Sequence, residues 1–309
     1  MATDGTKADW TTSLLTQELH SFAKFFESNL GRATDLRGMH LELIFPRIME
    51  EWRLKTMTQV IKDRVVPRTM NKDTFTPEFM AEVNRRMQET REESIKFLVD
   101  GARRTLDELS KSKPEFARWL RALEHAGIMA AWSAFETLAA DLWTFAVNSK
   151  PDQFATKVLR TFNEGAPEGM SSRSIPIGIA AKYKFDLRHC IGDIISQRID
   201  FTLPSEIRKA YAAAFGLDST TEGMLDSEDV KQLLLARNLI AHRSGVIDSH
   251  YLERAGSAQS VGEELTISEE DFQRFIEAVR KIGTRLLQIV DDALSPVALQ
   301  GTLSETSNQ

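Results

Sequence analysis

The stretch DSEDVKQLLLARNLIAHRSGVID, residues 226–248, is the most informative part of this sequence. Each residue of an α-helix advances by about 100° around the axis. A helix over residues 227–242 would therefore place five apolar or small side chains on one stripe: Val230, Leu233, Leu234, Ile240 and Ala241. Arg237 falls near the middle of this stripe. Because an arginine is costly to desolvate there, Arg237 requires a partner or a role in a site.

His242 follows Arg237 by five positions, which is about 140° around an ideal helix. The two side chains therefore do not share a face while the helix continues. Gly245 predicts that the helix ends here, which would let His242 leave helical geometry. Convergence of Arg237 and His242 can then occur within one chain, and is easier across a two-fold dimer.

Helical periodicity dominates the whole chain, so we predict an all-α fold. Short segments at Val246–Ile247 and Glu264–Ile267 are the only plausible strands. The predicted helices cover residues 11–30, 36–66, 76–110, 115–148, 152–162, 177–199, 204–215, 227–242 and 269–293. We expect the first of them to end at Gly31 and the second to be kinked or broken near Pro46.

Lys113-Pro114 separates the chain into two predicted regions. Residues 1–112 form a helical N-terminal accessory region, residues 113–295 form the second domain, and the polar residues 296–309 form a disordered tail. The long helix over 76–110 has a narrow apolar seam among many charges. This pattern is compatible with a coiled-coil arm and equally with an ordinary surface helix.

The composition restricts the functional classes. Of the 309 residues, 42% are hydrophobic and 27% are charged, which is typical of a globular protein. The net charge of −6 is not that of a general nucleic-acid binder, so any RNA contact must be a local site. Cys190 is the only cysteine, which excludes an intramolecular disulfide and a cysteine-based zinc site. We expect no metal or cofactor.

The N-terminal sequence MATDGTKADWTTS lacks a basic region followed by an apolar one, so we expect no secretory signal. No apolar run approaches the ~18 residues that a membrane-spanning helix needs. We therefore expect a cytoplasmic protein that does not associate with a membrane.

The motif Arg237-Asn238-Leu239-Ile240-Ala241-His242 resembles the R-polar-x-x-x-H motif of the HEPN superfamily. The segments around it are similar to bacterial HEPN proteins of the RiboL-PSP type. They are AGIMAAWSAFETLAADLW (126–143), AHRSGVIDSHYLER (241–254) and ISEEDFQRFIEAVRKIGTRLLQIV (267–290). The resemblance covers roughly residues 115–295 and implies a HEPN-type helical bundle with an additional N-terminal region. It also implies a dimeric endoribonuclease in a toxin–antitoxin or anti-phage setting, with a partner protein or antitoxin.

Metal-independent RNA cleavage requires a base for the 2′-hydroxyl, an acid for the leaving 5′-oxygen and positive charge near the phosphorane. His242 suits acid–base work because histidine titrates near neutrality. Arg237 suits the phosphorane because its planar guanidinium is permanently charged. Asn238 would position either side chain or contact the phosphate. We also assign Glu136 as a supporting carboxylate behind the site and Arg243 to substrate binding.

Each assignment has an alternative. Arg237 could be a structural arginine paired with Glu136, and His242 could interact with the negative C-terminal end of its helix. The chain as a whole could be a non-catalytic HEPN module that binds a protein or senses a small ligand. A third, weaker alternative is a coiled-coil adaptor in which the 76–110 helix is the working part.

Overall fold

The computed structural model of the chain describes residues 14, 16–63, 75–89, 91–161 and 177–295. Their fold is all-α, as predicted, and contains no β-strand. The helices are α1 (Leu19–Lys62), α2 (Pro77–Glu89), α3 (Arg91–Ser112), α4 (Pro114–Ser149), α5 (Pro151–Thr161), α6 (Ile177–Lys182), α7 (Ile191–Ser196), α8 (Pro204–Phe215), α9 (Ser219–Leu225), α10 (Glu228–Arg243), α11 (Ser249–Ala255) and α12 (Glu269–Leu294). Among the described residues, no helix is long and apolar enough to span a membrane. The predicted tail, residues 296–309, lies outside the described part.

Helix α1 differs most from its prediction. It continues through Gly31, where we expected an end, and it is not broken at Pro46, where we expected a kink or a break. An interior glycine destabilises a helix by only about 1 kcal/mol relative to alanine, which buried contacts elsewhere on the helix can offset. Proline costs more, about 3 kcal/mol. Buried side chains at Ile44 and Ile48, on either side of Pro46, hold the helix across it.

The chain divides into two compact units, Met1–Ala33 together with Gly127–Gln309, and Thr34–Ala126. The predicted boundary at residues 112–113 coincides with neither of the two divisions. The predicted accessory region is therefore not a unit of its own. The first part of that region, up to Ala33, belongs to the unit that carries the motif.

Three contacts attach the beginning of the chain to α12 within the first unit. The ring of Phe26 lies so close to Gly283 that a Cβ at residue 283 would be 2.4 Å from two ring carbons. Glu27 pairs with Arg280 at 3.2 Å. The backbone N–H of Thr16 donates to the buried carboxylate of Asp291 at 2.7 Å. These residues complete the core of this unit.

The core of the first unit consists of α4 and α12 with the helices that pack around them. On α4, one face is fully buried and includes Trp132, Phe135 and Trp143. The indole of Trp143 donates to the carbonyl of Ala210 at 3.0 Å, and the hydroxyl of Tyr211 donates to the carbonyl of Ala139 at 2.9 Å. Because each buried donor is satisfied by the facing helix, these bonds fix α8 against α4.

The second unit, Thr34–Ala126, contains α2, α3, the part of α1 from Thr34 onward and the first part of α4. One small core contains Ile44, Ile48, Leu98 and Ala102, and another contains Met57, Val60, Phe79 and Val83. The predicted single helix over 76–110 is thus assigned as α2 and α3, on either side of the undescribed residue 90. Part of its predicted apolar seam packs inside this unit.

An isolated antiparallel bridge joins Val246, in the loop after α10, to Glu264, in the loop between α11 and α12. These are the two segments where we predicted short strands. The N–H of Leu265 donates to the carbonyl of Gly245 at 2.8 Å, and the N–H of Ile247 donates to the carbonyl of Glu263 at 2.9 Å. These bonds hold the chain in place directly after the motif helix.

Candidate functional site

Helix α10 carries the motif and has favourable ends. Glu228 and Asp229 lie in its first turn, while His242 and Arg243 lie in its last turn. Acidic side chains stabilise the positive N-terminal end of a helix, and basic side chains stabilise the negative C-terminal end. The helix then ends at Ser244, which adopts the left-handed conformation with φ of 53°. The predicted helix over 227–242 is confirmed to within one residue.

The face of α10 that is buried differs from the predicted stripe. The fully buried residues are Val230, Leu233, Ala236 and Leu239. The predicted stripe is correct for the first two, but Ala241 is exposed. Arg237 therefore lies half-buried beside the buried face and not at its centre.

The guanidinium of Arg237 donates one hydrogen bond from Nη1 to Oδ1 of Asn238 at 3.0 Å. Among the described residues, no carboxylate forms an ion pair with Arg237. Glu136 is half-buried on α4, and neither a hydrogen bond nor an ion pair between described residues connects it to the motif. The pairing of Arg237 with Glu136 that we considered is therefore absent from the described part of the chain. Because the Asn238 amide is neutral, the positive guanidinium of Arg237 can still bind a phosphate oxygen.

His242 is exposed and lies inside α10. Our expectation that it would leave helical geometry is wrong, because the helix continues through Arg243. Its position is about 140° around the helix from Arg237 and about 7.5 Å along the axis. Arg237 and His242 of one chain therefore lie on different sides of α10.

Asn238 connects the two sides of the motif. It is hydrogen-bonded to Arg237 and precedes His242 by four positions, so the two share one face of α10. Asn238 thus contacts Arg237 and shares a helix face with His242, which lies about one turn further along. The motif predicted all three as site residues, and the structure brings Arg237 and Asn238 together.

Arg243 extends this surface at the end of the helix. Its side chain is 65% exposed, and its Nε lies 3.6 Å from Oδ2 of Asp248. Asp248 also caps α11 by accepting the backbone N–H of Tyr251 at 2.8 Å. Exposed ion pairs contribute at most about 1 kcal/mol, so a substrate phosphate can compete with Asp248 for Arg243.

The segment from Val230 to Ile247 is positively charged, although the whole chain is negatively charged. From Val230 to Ile247 the sequence contains no acidic residue and four basic ones: Lys231, Arg237, His242 and Arg243. The net charge of −6 is therefore distributed over other segments. Lys231 is exposed and is not among the predicted site residues. Helical spacing nevertheless places it on the same face as Asn238, seven positions later.

Comparisons with known proteins assign no family to this chain. No family model matches it, and no curated protein and no solved structure gives a significant match. In the described part of the chain, no group of three or more His, Cys, Asp and Glu side chains is placed to hold a metal ion. The function is therefore inferred from the residues of α10 themselves.

Proposed function

We propose that this chain is a HEPN-type endoribonuclease that cleaves RNA without a metal ion. The observation that carries the proposal is on α10, where Arg237 donates to Asn238, Asn238 shares a helix face with His242, and no acidic residue lies between Val230 and Ile247. A structural arginine in such a position is normally paired with a carboxylate, because an unpaired half-buried charge is costly. Arg237 instead donates to the amide oxygen of Asn238, which does not neutralise its positive charge. This favours a role in binding phosphate.

In the proposed reaction the 2′-hydroxyl of one nucleotide attacks the adjacent phosphorus. A base removes the proton of the 2′-hydroxyl as the new P–O bond forms, and an acid gives a proton to the 5′-oxygen as its bond to phosphorus breaks. His242 serves in this proton exchange, and the guanidinium of Arg237 stabilises the negative charge of the phosphorane. The products are a 2′,3′-cyclic phosphate and a 5′-hydroxyl end.

In this proposal a second copy of the chain supplies the second histidine, and the arginine near the histidine, that one copy lacks. One copy has a single motif histidine for two proton-transfer roles, and its Arg237 lies about 140° away from that histidine. A two-fold axis near α10 would place two copies of each residue around one cleft. Ala241 is exposed and Ile240 is half-buried beside Arg237, and both would be covered by such a contact.

We expect the protein to sediment as a dimer at micromolar concentration. Ala241→Glu should produce monomers without unfolding the protein, because residue 241 is exposed on α10 and a buried unpaired charge would oppose association. Thr220→Glu adds the same charge at an exposed position of α9 and should leave the dimer intact. Analytical ultracentrifugation of the three proteins tests this. A wild-type monomer, or a dimer insensitive to Ala241→Glu, would exclude the α10 interface.

The nuclease itself is tested with single-stranded RNA in the presence of EDTA. Cleavage should persist at the rate seen without chelator, because neither proton transfer nor charge stabilisation depends on a metal. A substrate with 2′-deoxyribose at the cleavage position should bind and not react, since the attacking oxygen is absent. Mass spectrometry of the products should identify the cyclic phosphate. Loss of cleavage with EDTA, or normal cleavage of the 2′-deoxy substrate, would contradict the mechanism.

The resemblance to RiboL-PSP-type proteins extends the proposal to a cytoplasmic toxin or anti-phage effector that is controlled by an antitoxin or another partner protein. The alternative is a non-catalytic HEPN module that binds a protein or senses a small ligand. The acidic net charge of −6 favours this alternative. It is the correct one if no RNA is cleaved under any condition and a partner protein binds tightly.

A further inference from the structure

Lys231 lies on the same face of α10 as the motif. Relative to Lys231, the ideal helix places Asn238 about 20° to one side and His242 about 20° to the other. Leu235, which is half-buried, lies between them along the same strip. Lys231, Leu235, Asn238 and His242 therefore form a single line of side chains, which we call the α10 strip.

Lys231 makes no contact among the described residues that would explain it as a stabilising side chain. Its side chain is exposed, and none of the ion pairs between described residues includes it. Glu228 lies three positions earlier on α10, and its Oε1 accepts a hydrogen bond from Gln232 at 2.6 Å. An exposed lysine without a carboxylate partner contributes little to folding stability, but it can bind a phosphate as a compact, mobile charge.

The α10 strip is longer than one phosphate group. Lys231 and Asn238 are seven positions apart, which is about 10.5 Å along the helix axis. Lys231 therefore lies beyond the group that Asn238 and His242 would hold, at the place of a neighbouring phosphate of the same strand.

We infer that Lys231 binds a substrate phosphate next to the cleaved bond along the strand, and that the substrate is single-stranded RNA. The inference rests on the proposed function, because it places the scissile phosphate at Asn238 and His242. The α10 strip is one side chain wide, so it can follow one sugar–phosphate backbone. Recognition of a duplex instead uses contacts to phosphates on both strands across a groove. Leu235, between the polar groups, offers an apolar contact to a base of the same strand.

The binding test uses a single-stranded oligonucleotide built entirely of 2′-deoxyribose, which cannot be cleaved by this mechanism. The logarithm of its binding constant should fall linearly with the logarithm of salt concentration. Lys231→Gln should make this slope shallower by about 0.7, the value for one phosphate contact with a single strand. Lys231→Arg should retain the wild-type slope. Lys281→Gln, at a lysine of α12 that is 64% exposed, should also retain it.

The kinetic test separates binding from chemistry. With a single-stranded RNA long enough to reach Lys231, Lys231→Gln should raise KM severalfold and leave kcat unchanged. A dinucleotide substrate ends before Lys231, so its kcat/KM should not change. An unchanged salt slope and KM in Lys231→Gln, with wild-type cleavage intact, would overturn the inference alone. So would duplex RNA that binds as tightly as the single strand.

A failure of the proposed nuclease function would give other experimental results than a failure of the Lys231 inference. If the wild-type protein cleaves no RNA but Lys231→Gln still makes the salt slope shallower by about 0.7, Lys231 is a nucleic-acid contact and the nuclease reaction is disproved. If Lys231→Gln and Lys281→Gln lower the slope equally, the effect is one of overall charge and the assignment of Lys231 is overturned.

Discussion

His242→Ala is expected to lower the rate of RNA cleavage by a factor of about 10²–10⁴. The reason is the loss of the group that exchanges protons with the 2′-hydroxyl or the leaving 5′-oxygen. The folded state should be almost unaffected, since His242 is exposed and such surface substitutions usually change stability by less than about 0.5 kcal/mol. Initial rates on single-stranded RNA, together with thermal unfolding of both proteins, measure the two effects separately.

His250 provides the matched control. It is an exposed histidine on the neighbouring α11, outside the motif, so His250→Ala should cleave RNA at the wild-type rate. Equal activity of His242→Ala and wild type would disprove the catalytic role of His242. Equal losses in the two variants would show that the effect does not depend on the motif.

The proposed dimer with a shared cleft allows a second experiment with the same variants. His242→Ala and Arg237→Ala should each be inactive as pure dimers, because each removes one required group from both copies. If Arg237 of one copy acts with His242 of the other, a mixed dimer retains one intact pair. Subunit exchange between the two variants should then restore part of the activity. Absence of any restoration in proven mixed dimers would mean that one Arg237–His242 pair across the dimer is not sufficient, either because the two residues act within one chain or because both copies of His242 are required.

The fold class and the motif helix could be predicted because both depend on local pattern. Residues 226–248 combine apolar periodicity, acids at the start and a glycine after the last turn, and α10 begins and ends within one residue of the prediction. The face of α10 that is buried was harder to predict. Leu234 and Ile240 are apolar but only half-buried, while Ala236 is buried. Which of them is covered depends on the helices that pack against α10, and spacing along one helix does not specify those neighbours.

The helix boundaries and the division into two units could not be predicted from local sequence either, because they depend on packing between different helices. Gly31, Pro46 and Lys113-Pro114 all suggested breaks between elements, and only the last one coincides with an observed helix boundary, the start of α4 at Pro114. Local propensity disfavours glycine and proline in a helix by roughly 1–3 kcal/mol. Burial of several side chains on the same helix outweighs such an amount. Near Gly31 the partners are distant in the sequence, as for Phe26 and Gly283. Near Pro46, Ile44 and Ile48 pack with Leu98 and Ala102. The residues next to the glycine or the proline do not identify any of these partners.

Phe26→Ala is expected to destabilise the unit that carries the motif by about 3–5 kcal/mol, the usual loss for a buried phenylalanine. Only 2% of Phe26 is exposed, and its ring packs onto Gly283 of α12. Phe25 is the matched control, because it is the preceding residue of α1 and 70% exposed. Phe25→Ala should change the free energy of unfolding by less than about 0.5 kcal/mol. Urea unfolding of the full chain, followed by hydrogen exchange of α12 amides, measures both variants.

The two variants decide whether the beginning of the chain is an accessory or part of the motif-bearing core. If residues 14–33 were dispensable for that core, Phe26→Ala and Phe25→Ala would leave the protection of α12 equally unchanged. A large loss in Phe26→Ala alone means that the first turns of α1 support α12, which in turn packs against α10. A fragment that starts near residue 111 would then lack the ring that covers Gly283, together with Glu27 and the N–H donor of Thr16. Such a fragment should lose RNA cleavage through instability even though Arg237, Asn238 and His242 are all present.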